Sequence, residues 1–252
     1  MWNSFKIAFS MYSKIPMPKT DWNKENMKYA LCFFPLVGLA IGIIFYLWSL
    51  LAKFLALGNI FTTAIYTIIP ILITGGIHMD GFVDSMDAIN SYQSIERKLE
   101  ILKDSHIGAF ALITSITYFI AYFGVLSEIK GEEIIIVSLG FILSRALSGL
   151  SIVTFPLAKK SGLAANFSDS AQKKKVKITM IIYIIIISLI MLYINLFLGI
   201  ASIISSLIVF FYYKSMAKKK FGGITGDIAG YFLQLCELFI ALALVLVGKI
   251  FL

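Results

Sequence analysis

The chain has 252 residues, of which 59% are hydrophobic and only 14% charged, with a mean hydropathy of +0.90 and a formal net charge of +8. These values lie far outside the range of soluble globular domains and place the chain among membrane proteins. Apolar runs of about 20 residues, enough to cross about 30 Å of hydrocarbon as a helix, recur along the sequence and leave no room for a separate soluble domain. Residues 1–252 are therefore read as one integral membrane domain. The runs are continuous rather than alternating, which argues against a closed barrel and for an all-α polytopic bundle. Cys32 and Cys236 lack CxxC spacing and the chain has only two histidines, so neither a disulfide framework nor a zinc site is expected.

At the start of the chain there is no compact apolar core of a cleavable signal peptide. Instead Trp2, Phe5, Phe9 and Tyr12 recur at helical spacing, with Lys6 and Lys14 elsewhere around the turn, which predicts an amphipathic helix lying in the membrane interface. "KIPMPK" ends it. Seven transmembrane spans follow, near 33–54, 59–76, 108–127, 133–156, 177–195, 198–214 and 228–250. The stretch 177–214 is nearly all apolar, and one helix of that length would run to about 55 Å, so a hairpin near Asn195 and Gly199 is expected. Between the second and third spans, Ile95, Leu99 and Leu102 form an apolar stripe opposite charged residues, as on a helix resting on the membrane surface.

Seven spans put the N-terminus and the 77–107, 157–176 and 215–227 loops on one side. That side and its span ends carry 18 Lys and Arg residues, against 3 on the other. By the positive-inside rule the basic side is cytoplasmic, giving a multi-pass membrane protein with its N-terminus and functional face inside. The net charge needs no nucleic acid to account for it. "QKKKVK" and "KSMAKKK" are first topology signals and contacts for anionic membrane lipid, and some of these lysines could also hold a phosphorylated substrate.

The same side receives the stretch "GGIHMDGFVDSMDAI". As a helix, it places Asp84 roughly +40° and Asp87 roughly −20° from Asp80, all on one face. Like charges so aligned repel one another unless something positive lies between them, and Mg2+ with a diphosphate-bearing substrate is the simplest candidate. Gly81 removes a side chain where a phosphate could approach. The plainer alternative is a solvated acidic loop with Asp80 as a helix N-cap. Before the last span, "KKKFGGITGDIAGYFLQLCEL" brings Thr225 and Asp227 to the same side, with Gln234 and Glu237 inside the span. Glu237 and Arg145, the latter in the fourth span, either pair with each other or border a polar chamber in which Arg145 meets phosphate. In "EILKDSHIGAF", Asp104 or Ser105 is expected to cap the third span.

Taken together these residues resemble a known family, cobalamin synthase, also called adenosylcobinamide-GDP ribazoletransferase. Its pattern, roughly GGxHxDGxxDxxDG, is matched by Gly75, Gly76, His78, Asp80, Gly81, Asp84 and Asp87. "KIPMP", "FFPLVG", "RKLEILKDSHIG", "SRA" around Arg145 and "GGITGDIAG" follow in family order over nearly the whole chain, with departures at Ala88, His106, Gln234 and Cys236. The resemblance implies a Mg2+-dependent transferase that joins adenosylcobinamide-GDP to α-ribazole or its 5′-phosphate and releases GMP, the nucleotide-loop assembly step of vitamin B12. A ribose hydroxyl would attack the phosphorus bearing the aminopropanol arm as GMP departs. On that reading Asp80, Asp84, Asp87 and Asp227 are the metal ligands, with Asp84 and Asp87 catalytic and Asp87 accepting the hydroxyl proton if it is not a ligand. His78, Gly81, Lys103, Asp104, Ser105, Arg145, Thr225 and Glu237 would lie toward substrate, and the oligomeric state is left open.

Three rival readings remain at this point. A CDP-alcohol phosphotransferase should show an Ala-Arg pair soon after its first DG, where this chain has Val83, Asp84 and Ser85. A prenyltransferase should show two aspartate-rich boxes, but the second cluster has Asp227 alone. An ion-coupled transporter should hold its acids in mid-span, whereas Asp80, Asp84, Asp87 and Asp227 lie at the basic edge and Glu237 is the acid inside a span.

Overall fold

The computed structural model describes residues 1–104, 106–159 and 162–251. Helix α1 (Trp2–Tyr12) is followed by the short α2 (Lys24–Met27), a 3-10 turn (Ala30–Phe33) and α3 (Phe34–Phe54). Next come α4 (Asn59–Thr74), α5 (Ile77–Asn90), α6 (Ile95–Ile101), α7 (Ala109–Glu128) and α8 (Glu132–Thr154). The chain closes with α9 (Leu163–Ser170), α10 (Lys173–Ile194), α11 (Leu196–Phe221) and α12 (Gly226–Phe251). Lys24–Phe54, α7, α8, α10, α11 and α12 are each long and apolar enough to cross a membrane.

The expected second span is shorter than a span should be. Helix α4 has 16 residues, about 24 Å at 1.5 Å per residue, and does not reach across about 30 Å of hydrocarbon alone. It stops because Gly75 and Gly76 take left-handed backbone conformations, φ 65° and 81°, and the chain bends by 96° into α5. The acidic helix therefore turns away from the direction of α4 and packs against α12 and α7. The expected hairpin is present: Asn195 separates α10 from α11 and accepts a hydrogen bond from Leu198 N–H at 3.1 Å. Gly199 allows the turn to close, since a Cβ there would sit 2.8 Å from the Leu192 backbone.

Helix α8 is the axis of the bundle, packed on by α3, α10, α11 and α12. Its buried face mixes large apolar residues with Ser138, Gly140, Ser144, Ser148, Gly149 and Ser151, and small residues let neighbouring backbones approach in the absence of a hydrophobic drive between helices. Gly38 and Gly42 on α3 do the same from the other side, for Cβ atoms there would strike the Phe141 and Ser138 carbonyls. The outer faces of α7 and α10 expose rows of isoleucine, including Ile113, Ile116, Ile120, Ile182, Ile185 and Ile186, as a lipid-facing surface does.

Two amphipathic segments are covered by protein, not only by lipid. Helix α1 buries Ile7, Phe9 and Tyr12 against the 3-10 turn and α3, and even Lys6 is 8% exposed, while Trp2 remains outside. Helix α6 packs against α5 and the end of α11, burying Leu102 just beyond it. An apolar stripe records only that something apolar covers it, and here much of that cover is the bundle itself.

Helix α5 crosses the first turns of α12 at two glycines. A Cβ on Gly81 would lie 2.7 Å from the Asp227 carbonyl oxygen, and one on Gly230 would lie 2.9 Å from that of His78. Gly81→Ala should therefore lower the thermal midpoint of the detergent-solubilised protein by several degrees. Gly124→Ala, on α7 with open space around it, should leave the midpoint unchanged or raise it.

Candidate active site

The crossing of α5 over α12 sets the site. Thr225 accepts from Ile228 N–H at 3.3 Å, capping α12, and donates to Asp227 Oδ2 at 3.3 Å, so Asp227 is held at the helix start. A parallel bridge between Leu157 and Ile224, with Ala158 N–H donating to Ile224 O at 3.0 Å, ties the 157–159 stretch of loop to the same turn. The acids of α5 then lie beside Asp227. Asp84, half-buried, has its carboxyl pushed up to about 7, first by burial and then by the charges of Asp80, Asp227 and Asp87.

A cavity of about 550 Å³ opens at this end of the bundle and is lined from all four segments expected to share one side. Tyr12 comes from α1, His78 and Asp80 from α5, Lys103 from beyond α6, Lys159 and Ala164 from the 157–176 region, and Thr225 and Asp227 from the start of α12. Asp80 also borders a second opening with Gly75, Gly76 and Phe119. Lys159 has no sequence signature. Its Nζ donates to the Leu99 carbonyl at 2.6 Å, and burial, then Lys103, draw its ammonium below the usual range. Tyr12, Phe34 and Ser148 also line the cavity; the spacing of Tyr12 marks only an amphipathic helix, Phe34 belongs to "FFPLVG", and Ser148 carries no mark.

The structure separates the remaining candidates. Asp84 and Asp87 do not line the cavity; the Asp87 carboxylate packs against Gly108 at the start of α7, where a Cβ would collide with it. The room made by Gly81 is filled by the Asp227 backbone and is not an opening for phosphate. Asp104 does not cap α7, whose N-cap is Gly108 without a side-chain bond. Asp104 instead accepts from His106 N–H at 3.0 Å and contacts its ring at 2.6 Å, and these bonds pull its carboxyl below the ordinary range. Ser105 lies outside the described residues. Asp80 is not an N-cap either: α5 begins at Ile77, capped by Gly76, and already includes His78, which faces inward.

Arg145 and Glu237 pair with each other. Arg145 Nη1 donates to Glu237 Oε1 at 2.6 Å and to the Phe141 carbonyl at 3.0 Å, and Ser144 Oγ donates to the same Glu237 oxygen at 3.4 Å. Both side chains are almost fully buried and neither lines the cavity. Gln234 is occupied as well, accepting from the Tyr118 hydroxyl at 2.7 Å.

Whether the acids suit a divalent cation turns on donor type and placement. The donors at the crossing are all carboxylate oxygens, and no cation lowers Asp84, which suits a hard ion such as Mg2+. Among the described residues, no three His, Cys, Asp or Glu side chains already form a metal-holding group. An ion here would thus take one or two carboxylates, with Asp80 and Asp227 the pair facing the cavity, and complete its shell with phosphate oxygens and water.

Removing one partner of the buried ion pair strands the other charge. Arg145→Gln should cost about 3–5 kcal/mol of stability, read as a lowered thermal midpoint, while the paired change Arg145→Met with Glu237→Leu should recover most of it. The raised Asp84 carboxyl gives a second outcome. Its protonation stabilises the fold fully below the ordinary carboxylate value, and that contribution is lost as pH rises through about 7. In metal-free buffer the thermal midpoint should therefore rise between pH 8 and pH 6, and Asp84→Asn should flatten that rise.

The model of the cobalamin-5-phosphate synthase family matches residues 4–245. A protein of Lachnoclostridium phytofermentans named adenosylcobinamide-GDP ribazoletransferase is 52% identical over 244 residues, covering 97% of this chain and 94% of its own. Proteins of the same name from Clostridium botulinum and a Geobacillus species are 33% and 30% identical, covering 94% and 92% of this chain and 96% and 91% of theirs. No solved structure matches. With its motifs, its helical membrane architecture and a family match over nearly its whole length, the chain belongs to the cobalamin-5-phosphate synthase family.

Proposed function

We propose that this protein is an adenosylcobinamide-GDP ribazoletransferase, joining the GDP-activated corrinoid to α-ribazole or its 5′-phosphate and releasing GMP. The observation that carries this reading is the 52% identity, across both chains, to a relative of that name. The cavity supports it chemically. Carboxylates from two helices and two lysines from two loops face one opening, an arrangement suited to a diphosphate and to a hydroxyl that must lose its proton.

In the proposed reaction a ribose hydroxyl oxygen forms a bond to the phosphorus carrying the aminopropanol arm. The bond from that phosphorus to the bridging oxygen breaks, and GMP leaves with its electron pair. Lys103 and Lys159 offset the charge gathered on the departing phosphate. Asp84, one turn along α5 from Asp80 and with its carboxyl pushed up to about 7, does not itself line the cavity and takes the hydroxyl proton through one water at the opening beside Asp80; Asp87, set against Gly108, is less well placed. A Mg2+ ion held by Asp80 and Asp227 would supply positive charge to the diphosphate oxygens. The basic end of the bundle is proposed to face the cytoplasm, on the bias of 18 Lys and Arg residues against 3.

The test uses purified full-length protein in detergent with adenosylcobinamide-GDP, α-ribazole and varied Mg2+. GMP and the joined corrinoid should appear together, in equal amounts, only when metal and both substrates are present. Asp84→Asn should lose at least a hundredfold in kcat while the protein still folds. Absence of product from the unaltered protein at every metal concentration would overturn the assignment.

A further inference from the structure

The charged residues lining the cavity, Asp80, Lys103, Lys159 and Asp227, account for only a fraction of its surface. The rest of its wall includes Tyr12, Phe34, Ile152 and Leu233, each less than a tenth exposed. Against this apolar wall lie a pair of polar atoms with no hydrogen-bond partner in the protein, His78 Nε2 and Ser148 Oγ. His78 is 5% exposed and Ser148 1%. The His78 ring is fixed between aromatic neighbours, with the Tyr12 ring stacked on it at 6.1 Å and the Phe34 ring edge-on at 5.8 Å. Buried polar atoms are nearly always paired, so two orphans on side chains that line one cavity mark groups that a small rotation would present to a ligand as partner.

The wall also limits what that ligand is. Guanine presents three acceptors and two donor groups around its rings, and two protein atoms would leave most of them buried and unpaired. A benzimidazole base with methyl substituents presents a single acceptor nitrogen on an otherwise apolar bicycle. We propose that the cavity wall around His78 and Ser148 binds the base of the ribazole acceptor, with Ser148 Oγ donating to its free ring nitrogen and His78 Nε2 pairing with a ribose hydroxyl. This rests on the transferase reading above. It assigns the His78 and Ser148 wall of the cavity to the acceptor and leaves the guanosine of the donor to the lysines. His78 and Asp80 both line the cavity, from different faces of α5, so the ribose would lie between the apolar wall and the opening where the carboxylates sit.

The experiment compares ligands as well as variants. Equilibrium dialysis of full-length protein in detergent, without donor or metal, would measure α-ribazole, its indole analogue lacking the ring nitrogen, and guanosine monophosphate. The indole analogue should bind about five- to tenfold more weakly than α-ribazole to the unaltered protein. Ser148→Ala should weaken α-ribazole by the same factor and leave the indole analogue unchanged. In the transfer assay the same variant should raise KM for α-ribazole with KM for the GDP-linked donor within twofold. Equal binding of α-ribazole and its indole analogue to the unaltered protein would overturn the assignment even if Ser148→Ala failed to fold. A donor KM that rises instead would hand this wall of the cavity to guanine. Failure of the transferase reading would appear separately, as absence of product from the unaltered protein, while the dialysis still reports on the cavity.

Discussion

Two helices can cross with their backbones nearly touching only where neither carries a side chain, and Gly81 of α5 and Gly230 of α12 supply that condition. The rest of the site follows from it. The crossing lays the carboxylates of α5 beside Asp227, and partial burial, then the repulsion of the neighbouring carboxylates, keeps Asp84 reluctant to ionise. It also turns His78 inward toward Tyr12 and Phe34 while Asp80 stays at the opening. One contact therefore divides α5 into a face of carboxylates toward the opening and a face toward the apolar wall of the cavity.

The bundle beneath this crossing is stiffened by a different device. Small residues along α8 and glycines on α3 let helices approach, and the ion pair of Arg145 with Glu237 joins α8 to α12 in the interior. Within a span such a pair is costly to desolvate and costlier to break, so its first consequence is positional: it fixes α12, and with it Asp227, relative to the axis of the fold. The separation of tasks is physical. Charges buried away from the cavity hold the frame, and those at its opening remain free for substrate.

Much of this is legible in the sequence, for reasons that also mark the boundary of such reading. Length and continuity of apolar runs locate spanning helices because the bilayer imposes both, and the hairpin at Asn195 follows from arithmetic on helix rise. The 3.6-residue period aligns Asp80, Asp84 and Asp87 on α5 from their spacing alone. What covers a face is not written in its period. The apolar stripe of α1 fits lipid or protein equally well, and protein covers much of it. Gly81 reads equally as space for a ligand or for a neighbouring backbone, and the Asp227 backbone takes it. Asp87 shares the stripe, yet its carboxylate meets Gly108 of another helix. Lys159 and Ser148 reach the cavity through long-range packing of α6, α8 and α12, which leaves no local trace in the residues around either.

The central claim is that carboxylates from two different helices, brought together at the Gly81 and Gly230 crossing, act as one cation-binding unit. Paramagnetic Mn2+ used in place of Mg2+ tests it most directly, with free and bound ion separated by electron paramagnetic resonance on purified protein. Asp80→Asn and Asp227→Asn should each weaken Mn2+ binding at least tenfold. If Asp227→Asn binds the ion as tightly as the unaltered protein does, the cation belongs to α5 alone and the two-helix account is wrong.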